Sequence, residues 1–421
     1  MKSVLGGRWS GFLCACFGCA MALSILLSYQ LFVQVTNEYL GYVPIYYGIF
    51  EFSLIGFAVF LLALSLKSGV RKPSDFFFLL YALFVIAPYC VLFEVRGRVD
   101  ESVVLLAVAF LVAPMLVLWA TRKVYVRIPA LGIFSSRQME FMVYGIVAIA
   151  LLLLVRSGIA SAGFDMETSY DRRLEGRDIF QAGAAVSYLV SMVSNSFLPL
   201  MSFWSGYAKR IVVFCACIFG CVLLFYYLGL KAPFFYVTMA AGFGWYGRAL
   251  GFSGVSRIFF GVVLLVFGIS FVELAIYDYS YIADYVIRRA FAVPPFLISA
   301  YTEMFSQSFG YWDLVGGALS GQPISMLMGE YLGDPTLNAN TNSFLYAFGS
   351  LGLYGYLLDV FLVSFVFFVV DRLYVDRKDP ALMWVGFLFS ILLVEQSSTT
   401  VLVSSGVAAS LLLIILKRDR C

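Results

Sequence analysis

An all-α, polytopic integral membrane fold is predicted by three observations. The 421 residues are 62% hydrophobic and 13% charged, with a mean hydropathy of +0.93; a soluble domain carries about 45–50% apolar and about 25% charged residues. The apolar residues gather in runs of about 20, the length that crosses a hydrocarbon core. The lysines and arginines collect in alternate connections between those runs. A chain this poor in polar side chains cannot cover its outside with them, so much of its surface is predicted to face lipid. One membrane domain is expected over 1–421, without internal repeats or low-complexity tracts.

Twelve spans are predicted, near 9–31, 44–66, 76–93, 102–121, 140–156, 180–204, 211–229, 232–247, 257–276, 344–370, 381–395 and 399–416. Asn195 and Pro199 predict an interruption of the sixth, and the Gly-rich start of the tenth predicts a break there. With the N-terminus inside, 19 of the 28 lysines and arginines fall in cytoplasmic segments. Nine fall outside: Arg96, Arg98, Arg156, Arg172, Arg173, Arg177, Lys231, Arg288 and Arg289. That bias places both termini in the cytoplasm. The first run is too long for a signal-peptide core and reads as a signal anchor.

Composition also removes chemistry. There is no histidine, which excludes histidine-based triads, HExxH zinc sites, histidine-ligated haem and imidazole proton relays. The eight cysteines lie in apolar runs or at the last residue, so neither a disulfide framework nor a zinc ribbon is indicated. A net charge of +3 gives no reason to expect nucleic acid as a partner.

Two outside segments, 157–179 and 277–343, are long, and long connections are where membrane and soluble folds alike place function. In the first, Arg172, Arg173 and Arg177 alternate with Asp171, Glu175 and Asp178. This is either a solvated helical turn laced with ion pairs or an anion site, since guanidinium forks suit phosphate. The second interleaves Tyr277, Tyr279, Tyr281 and Tyr285 with Asp278 and Asp284, then adds Arg288, Arg289, Tyr301, Glu303, Phe305, Tyr311 and Trp312. Such aromatics form an interfacial belt or, mixed with carboxylates, a surface for sugars. Asn338, Asn340 and Asn342 either bind sugar hydroxyls or cap the tenth span. Within the predicted spans, Glu51 and Asp359 are ionisable and therefore either structural or substrate-directed.

At these residues the chain resembles the Wzy-type O-antigen polymerases. Arg172 is followed after ten residues by Gly183, as in the arginine loops of that family, and Arg289, Phe291 and Pro294 resemble its second loop. Ser299 or Ala300 stands where the second loop's glycine would be. The run from Leu228 through Lys231 to Phe234, and the stretch Arg71 to Asp75, are also similar to family segments. The related O-antigen ligases carry a histidine, then Asn, Ser or Gln, nine residues and a Gly-x-x-Gly; here Asn342, Gly352 and Gly355 keep that frame while Thr341 occupies the histidine position. The likeness is strongest over about 160–410 and favours polymerase over ligase.

The resemblance implies a GT-C-like membrane fold in the bacterial inner membrane with a periplasmic active site. It implies metal-independent glycosyl transfer between undecaprenyl-diphosphate-linked oligosaccharides, without cofactor and with a polysaccharide chain-length regulator as partner. Arg172 and Arg289 would stabilise the departing diphosphate, with Arg173, Arg177, Arg288 and Lys231 in support. Candidates for a general base are Asp171, Asp278 and Glu303, the last favoured because it follows Arg289 and Tyr301. Asp278, Tyr301, Asn340 and Asn342 would contact sugar. Two alternatives stay open: a ligase-like transferase and a lipid-linked oligosaccharide flippase or other transporter. The crowding of polar residues into outside segments, away from mid-membrane, speaks against transport.

Overall fold

A computed structural model describes residues 11–418, apart from 127, 129–131, 158, 160, 166–167, 181–184, 306–322 and 336, and apart from the side chains of Tyr170, Arg177, Asp178 and Phe180. The described chain is all-helical with a single isolated bridge, Phe134 to Lys417. A helix stands at each of the twelve predicted runs. Nine described helices are long and apolar enough to cross a membrane. Of the other three, Ala232–Leu250 is not among the nine, and Pro380–Leu392 and Val407–Leu416 are shorter apolar helices. The chain is a polytopic membrane protein.

The helices divide between two compact units. The first holds 1–124, 253–368 and 390–397. Its centre is Asp75–Leu92, whose apolar window is 83% buried, against 17% for Val255–Tyr277 at its periphery. Phe77, Tyr81 and Phe344 pack edge to face there, and the Tyr81 ring stacks on Phe77 at 4.9 Å. The second unit holds 125–252, 369–389 and 398–421. Its core runs through Val143, Val147, Leu198, Cys217, Cys221, Leu224 and Val237. Gly206 and Gly244 lie where a Cβ would collide with the carbonyls of Ala241 and Phe203. These two small residues let Leu198–Ala208 and Ala232–Leu250 approach backbone to backbone.

Three of the prolines share one arrangement, while Pro114 lies in the uninterrupted helix Glu101–Thr121. The predicted interruption at Asn195 and Pro199 is not a break: the helix runs on from Ala185 to Ala208 through a π-helical stretch, Val193–Phe197. A proline lacks the N–H of the helical ladder, and its ring strikes the carbonyl four residues back. A wider π turn just ahead relieves both demands. The same spacing recurs at Ala82–Ile86 before Pro88 and at Ala283–Ala292 before Pro294.

The predicted break in the tenth span is present. Ser343–Arg377 departs from helical geometry at Leu351 and Gly352, and Gly352 sits at φ +62°. A Cβ on Gly355 would meet the Ala347 carbonyl, so both glycines of the Gly-x-x-Gly serve this bend. The second long connection is largely helical: Ala283–Ala292, Val293–Met304 and Ile324–Tyr331. The first contains Ser169–Phe180.

Two intramembrane carboxylates resolve differently. Ile49–Ser68 starts five residues later than predicted, which puts Glu51 in its first turn, where Oε2 accepts from the Gly48 N–H at 2.6 Å. Glu51 is a helix cap at the membrane edge. Asp359 is buried and accepts from Ser343 Oγ at 2.6 Å, joining the two sides of the Gly352 bend.

Candidate functional site

The first unit contains a cavity of about 670 Å³ at the end where Ile49–Ser68 and Ser343–Arg377 begin. Its size suits a small-molecule or sugar site, for which about 300–1,000 Å³ is usual. One wall is the start of Val293–Met304 with Arg288 and Arg289 ahead of it; the facing wall is the segment from Leu337 to Asn342 and the turn Val394–Gln396. Tyr39 and Tyr42 close a third side.

These walls are held firmly. The buried Tyr301 hydroxyl donates to the Ala339 carbonyl at 3.1 Å, and the Ala339 N–H donates to the Ser325 carbonyl at 3.0 Å. Leu297, Ala300, Phe305, Ile324 and Met328 pack around them. The Ser343 N–H donates to the Leu393 carbonyl at 3.0 Å, which pins the Glu395 turn to the start of the bent helix. Asn342 is 3% exposed, and its Oδ1 caps that helix by accepting from the Leu345 N–H at 3.2 Å. Its Nδ2 is buried without a hydrogen-bond partner among the described residues. A buried amide left unpaired costs about 1–3 kcal/mol, a cost carried in the wall of the cavity.

Charge in the cavity is arranged in two ways. Arg288 is committed: its Nε donates to Asp284 Oδ1 at 2.9 Å, while Tyr279 donates to the other oxygen of that carboxylate at 3.0 Å. Tyr42 lies against the same guanidinium; burial pushes its hydroxyl up to about 12, with Arg288 pulling the other way. Arg289 lines the cavity, is exposed to it, and makes no hydrogen bond or ion pair with a described residue. Glu395 is also open to the cavity but crowded by protein. That desolvation raises its pKa, and nearby Arg289 lowers it without reaching ion-pair contact.

Several predicted contacts fall elsewhere. Tyr301 is fully buried, so its ring and hydroxyl support the Ala339 wall and cannot touch a sugar. Glu303 is 63% exposed and ion-paired with Arg96 at 3.4 Å, and it is not among the residues that line the cavity. Asp278 is exposed at φ +54°, ending the helix Val255–Tyr277. Tyr277, Tyr281 and Tyr285 are exposed outside the cavity lining, and the ring open to it is Tyr39, 81% exposed. Asn338 and Asn340 do line it, beside Asn342. Tyr311 and Trp312 lie outside the described residues.

In the second unit, the arginine helix Ser169–Phe180 folds onto the turn 225–231. Arg172 is fully buried, and its Nη1 and Nη2 donate to Thr168 Oγ1 at 2.9 Å and to the Asp165 carbonyl at 2.6 Å. Its guanidinium lies 5.4 Å from the Phe225 ring. Arg173 donates to the Gly229 carbonyl at 3.2 Å, two residues from the exposed Lys231. Glu175 accepts from both the N–H and the hydroxyl of Ser161. Gly229, at φ +61°, has no room for a Cβ beside the Ser169 carbonyl. Asp171 is exposed; Gly183 and the Arg177 side chain lie outside what is described. The predicted anion loop is thus a folded knot in which Arg172 binds its own chain, with Arg173 and Lys231 at its surface.

Glu395, Gln396 and Tyr39 were not predicted. The signal for the first two was the polar string from Glu395 to Thr400 between two apolar runs; the helix ends at Leu392, before it. No group of three or more potential metal ligands occurs among the described residues. No protein-family model matches the chain, and no curated protein or solved structure matches it either. The cavity chemistry is the unpaired guanidinium of Arg289, the amides of Asn338, Asn340, Asn342 and Gln396, the carboxylates of Asp334 and Glu395, and an open aromatic ring. This set suits a ligand with many hydroxyls and a negative charge.

Proposed function

We propose that the chain is a polysaccharide polymerase, which joins undecaprenyl-diphosphate-linked oligosaccharide units at the periplasmic face of the bacterial inner membrane. The observation that carries this reading is the cavity that Arg289 lines together with Asn338, Asn340, Asn342 and Glu395. The resemblance to Wzy-type polymerases supports it, because Arg289 and the first two residues of the frame, Thr341 and Asn342, line this cavity. Thr341 lines the wall where the ligases have a histidine, and of the two lining carboxylates, Asp334 and Glu395, the one that interacts with Arg289 is Glu395, which serves as the proton acceptor.

In this reaction an acceptor hydroxyl attacks the donor's anomeric carbon. The new C–O bond forms as the bond to the diphosphate breaks, and undecaprenyl diphosphate leaves with the electron pair. Arg289 neutralises the charge that grows on the leaving group. The Glu395 carboxylate takes the hydroxyl proton, and its raised pKa makes it a better base once ionised. The asparagines and Tyr39 hold the acceptor.

Deleting the gene in its host tests the proposal. Lipopolysaccharide core bearing a single repeat unit, with the long ladder lost, is the expected result. An unchanged ladder overturns it; bare core with glycan held on lipid outside the cell points to a ligase, and accumulation inside points to a flippase.

A further inference from the structure

A second pocket lies at the far end of the same unit, about 30 Å along Ile49–Ser68 from the cavity. It measures about 560 Å³ and is lined by Leu64, Lys67, Ser68, Arg71, Lys72, Asp75 and Arg122. Four cations therefore converge with one acid, and that acid is already engaged. Asp75 Oδ2 accepts from the N–H groups of Arg71 and Lys72, both at 2.7 Å, and Oδ1 accepts from Arg122 Nη2 at 2.6 Å. Arg122 also lies 5.3 Å from the Phe78 ring. The side chains of Lys67, Arg71 and Lys72 have no ion pair or hydrogen bond with any described residue.

Several other basic residues are engaged within the protein. Arg210 pairs with Glu140, Arg248 donates to the Tyr207 carbonyl, Lys417 pairs with Asp379, and Arg377 donates to the carbonyls of Ile414 and Ile415. Three free cations around one concavity leave an excess charge that an anion would balance. The pocket is also edged by Leu64, which is 50% exposed on a helix long and apolar enough to cross a membrane. Charge at the membrane edge beside an apolar wall fits a phosphodiester that continues into an acyl chain.

We propose that this pocket binds the headgroup of an anionic phospholipid. Lys67, Arg71 and Lys72 surround the phosphate, Arg122 is held in place by Asp75, and Leu64 meets the start of the lipid tail.

The test uses the full-length protein in bilayers of equal phosphatidylglycerol and phosphatidylcholine, with retained lipid counted by native mass spectrometry. Wild type is expected to keep phosphatidylglycerol selectively. The triple variant Lys67→Gln, Arg71→Gln, Lys72→Gln is expected to lose that selectivity by on the order of a hundredfold, at about 1 kcal/mol per basic residue. Each single variant should lose roughly fivefold by the same scale, which keeps the test alive if the triple variant does not fold. Arg210→Gln, which removes a paired cation, should retain the lipid as wild type does. Equal retention of both lipids by wild type overturns the proposal, as does unchanged selectivity in the single variants. Displacement of the lipid by excess inorganic phosphate also overturns it, by showing a site for free phosphate.

Discussion

Asn342 does two separable jobs, and substitution can pull them apart. Its Oδ1 caps the helix that begins at Ser343, while its Nδ2 faces no acceptor. Asn342→Ala removes both. The lost cap costs about 1 kcal/mol of stability. Asn342→Ser keeps a capping oxygen and removes only the unpaired amide, whose burial costs about 1–3 kcal/mol. The serine variant should therefore be at least as stable as wild type without substrate, and the alanine variant less stable than the serine variant. Acceptor binding should weaken in both, by the 0.5–1.5 kcal/mol of a neutral hydrogen bond, or roughly 2- to 13-fold. Thermal denaturation of the detergent-solubilised protein gives the first ordering, and initial rates against lipid-linked acceptor concentration give the second. If Asn342→Ser bound acceptor as wild type does, the amide would have no ligand and the cavity reasoning would fail.

Other substitutions probe the remaining parts. Arg289→Ala should abolish polymer in a lipid-linked donor assay and Arg289→Lys restore it in part, because a point charge lacks the planar fork; full activity in both would remove Arg289 from the mechanism. A raised Glu395 pKa means the rate falls, as pH drops, above the ordinary carboxylate range, and Glu395→Gln should flatten that acid limb in a pH–rate profile. Tyr301→Phe strips the Ala339 carbonyl of its donor and should cost about 1–3 kcal/mol in stability; loss of activity without loss of stability would instead place the hydroxyl on substrate. Gly229→Ala forces φ +61° on a residue with a Cβ against the Ser169 carbonyl, so melting should show a loss of at least about 2 kcal/mol.

The helical runs were legible because lipid imposes one requirement, a stretch of apolar residues long enough to satisfy its own backbone. The bend at Gly352 was legible for the same kind of reason, since glycine alone tolerates that backbone freely. Side-chain direction was not. Arg172 and Arg289 look alike in sequence, each in a polar stretch beside an apolar run, yet one is buried in its own loop and the other opens into a cavity. Tyr301 reads as a sugar platform until the packing around Ala339 encloses it. Glu395 was hidden because an apolar run does not mark the residue at which its helix stops; Leu392 ends the helix where Ser343 takes the Leu393 carbonyl.

The widened turns ahead of Pro88, Pro199 and Pro294 carry a consequence for how such chains align. A π turn is an α-helix with one residue added, and that residue turns everything after it by about 100°. The burial of Ala185–Ala208 changes at this turn: before it only Val190 is buried, and after it Leu198 to Phe203 are buried in succession. A relative without the proline has no use for the added residue. Its alignment should carry a one-residue gap within 193–197, inside a membrane helix, where gaps are ordinarily penalised most. Proline and extra residue should be gained or lost together.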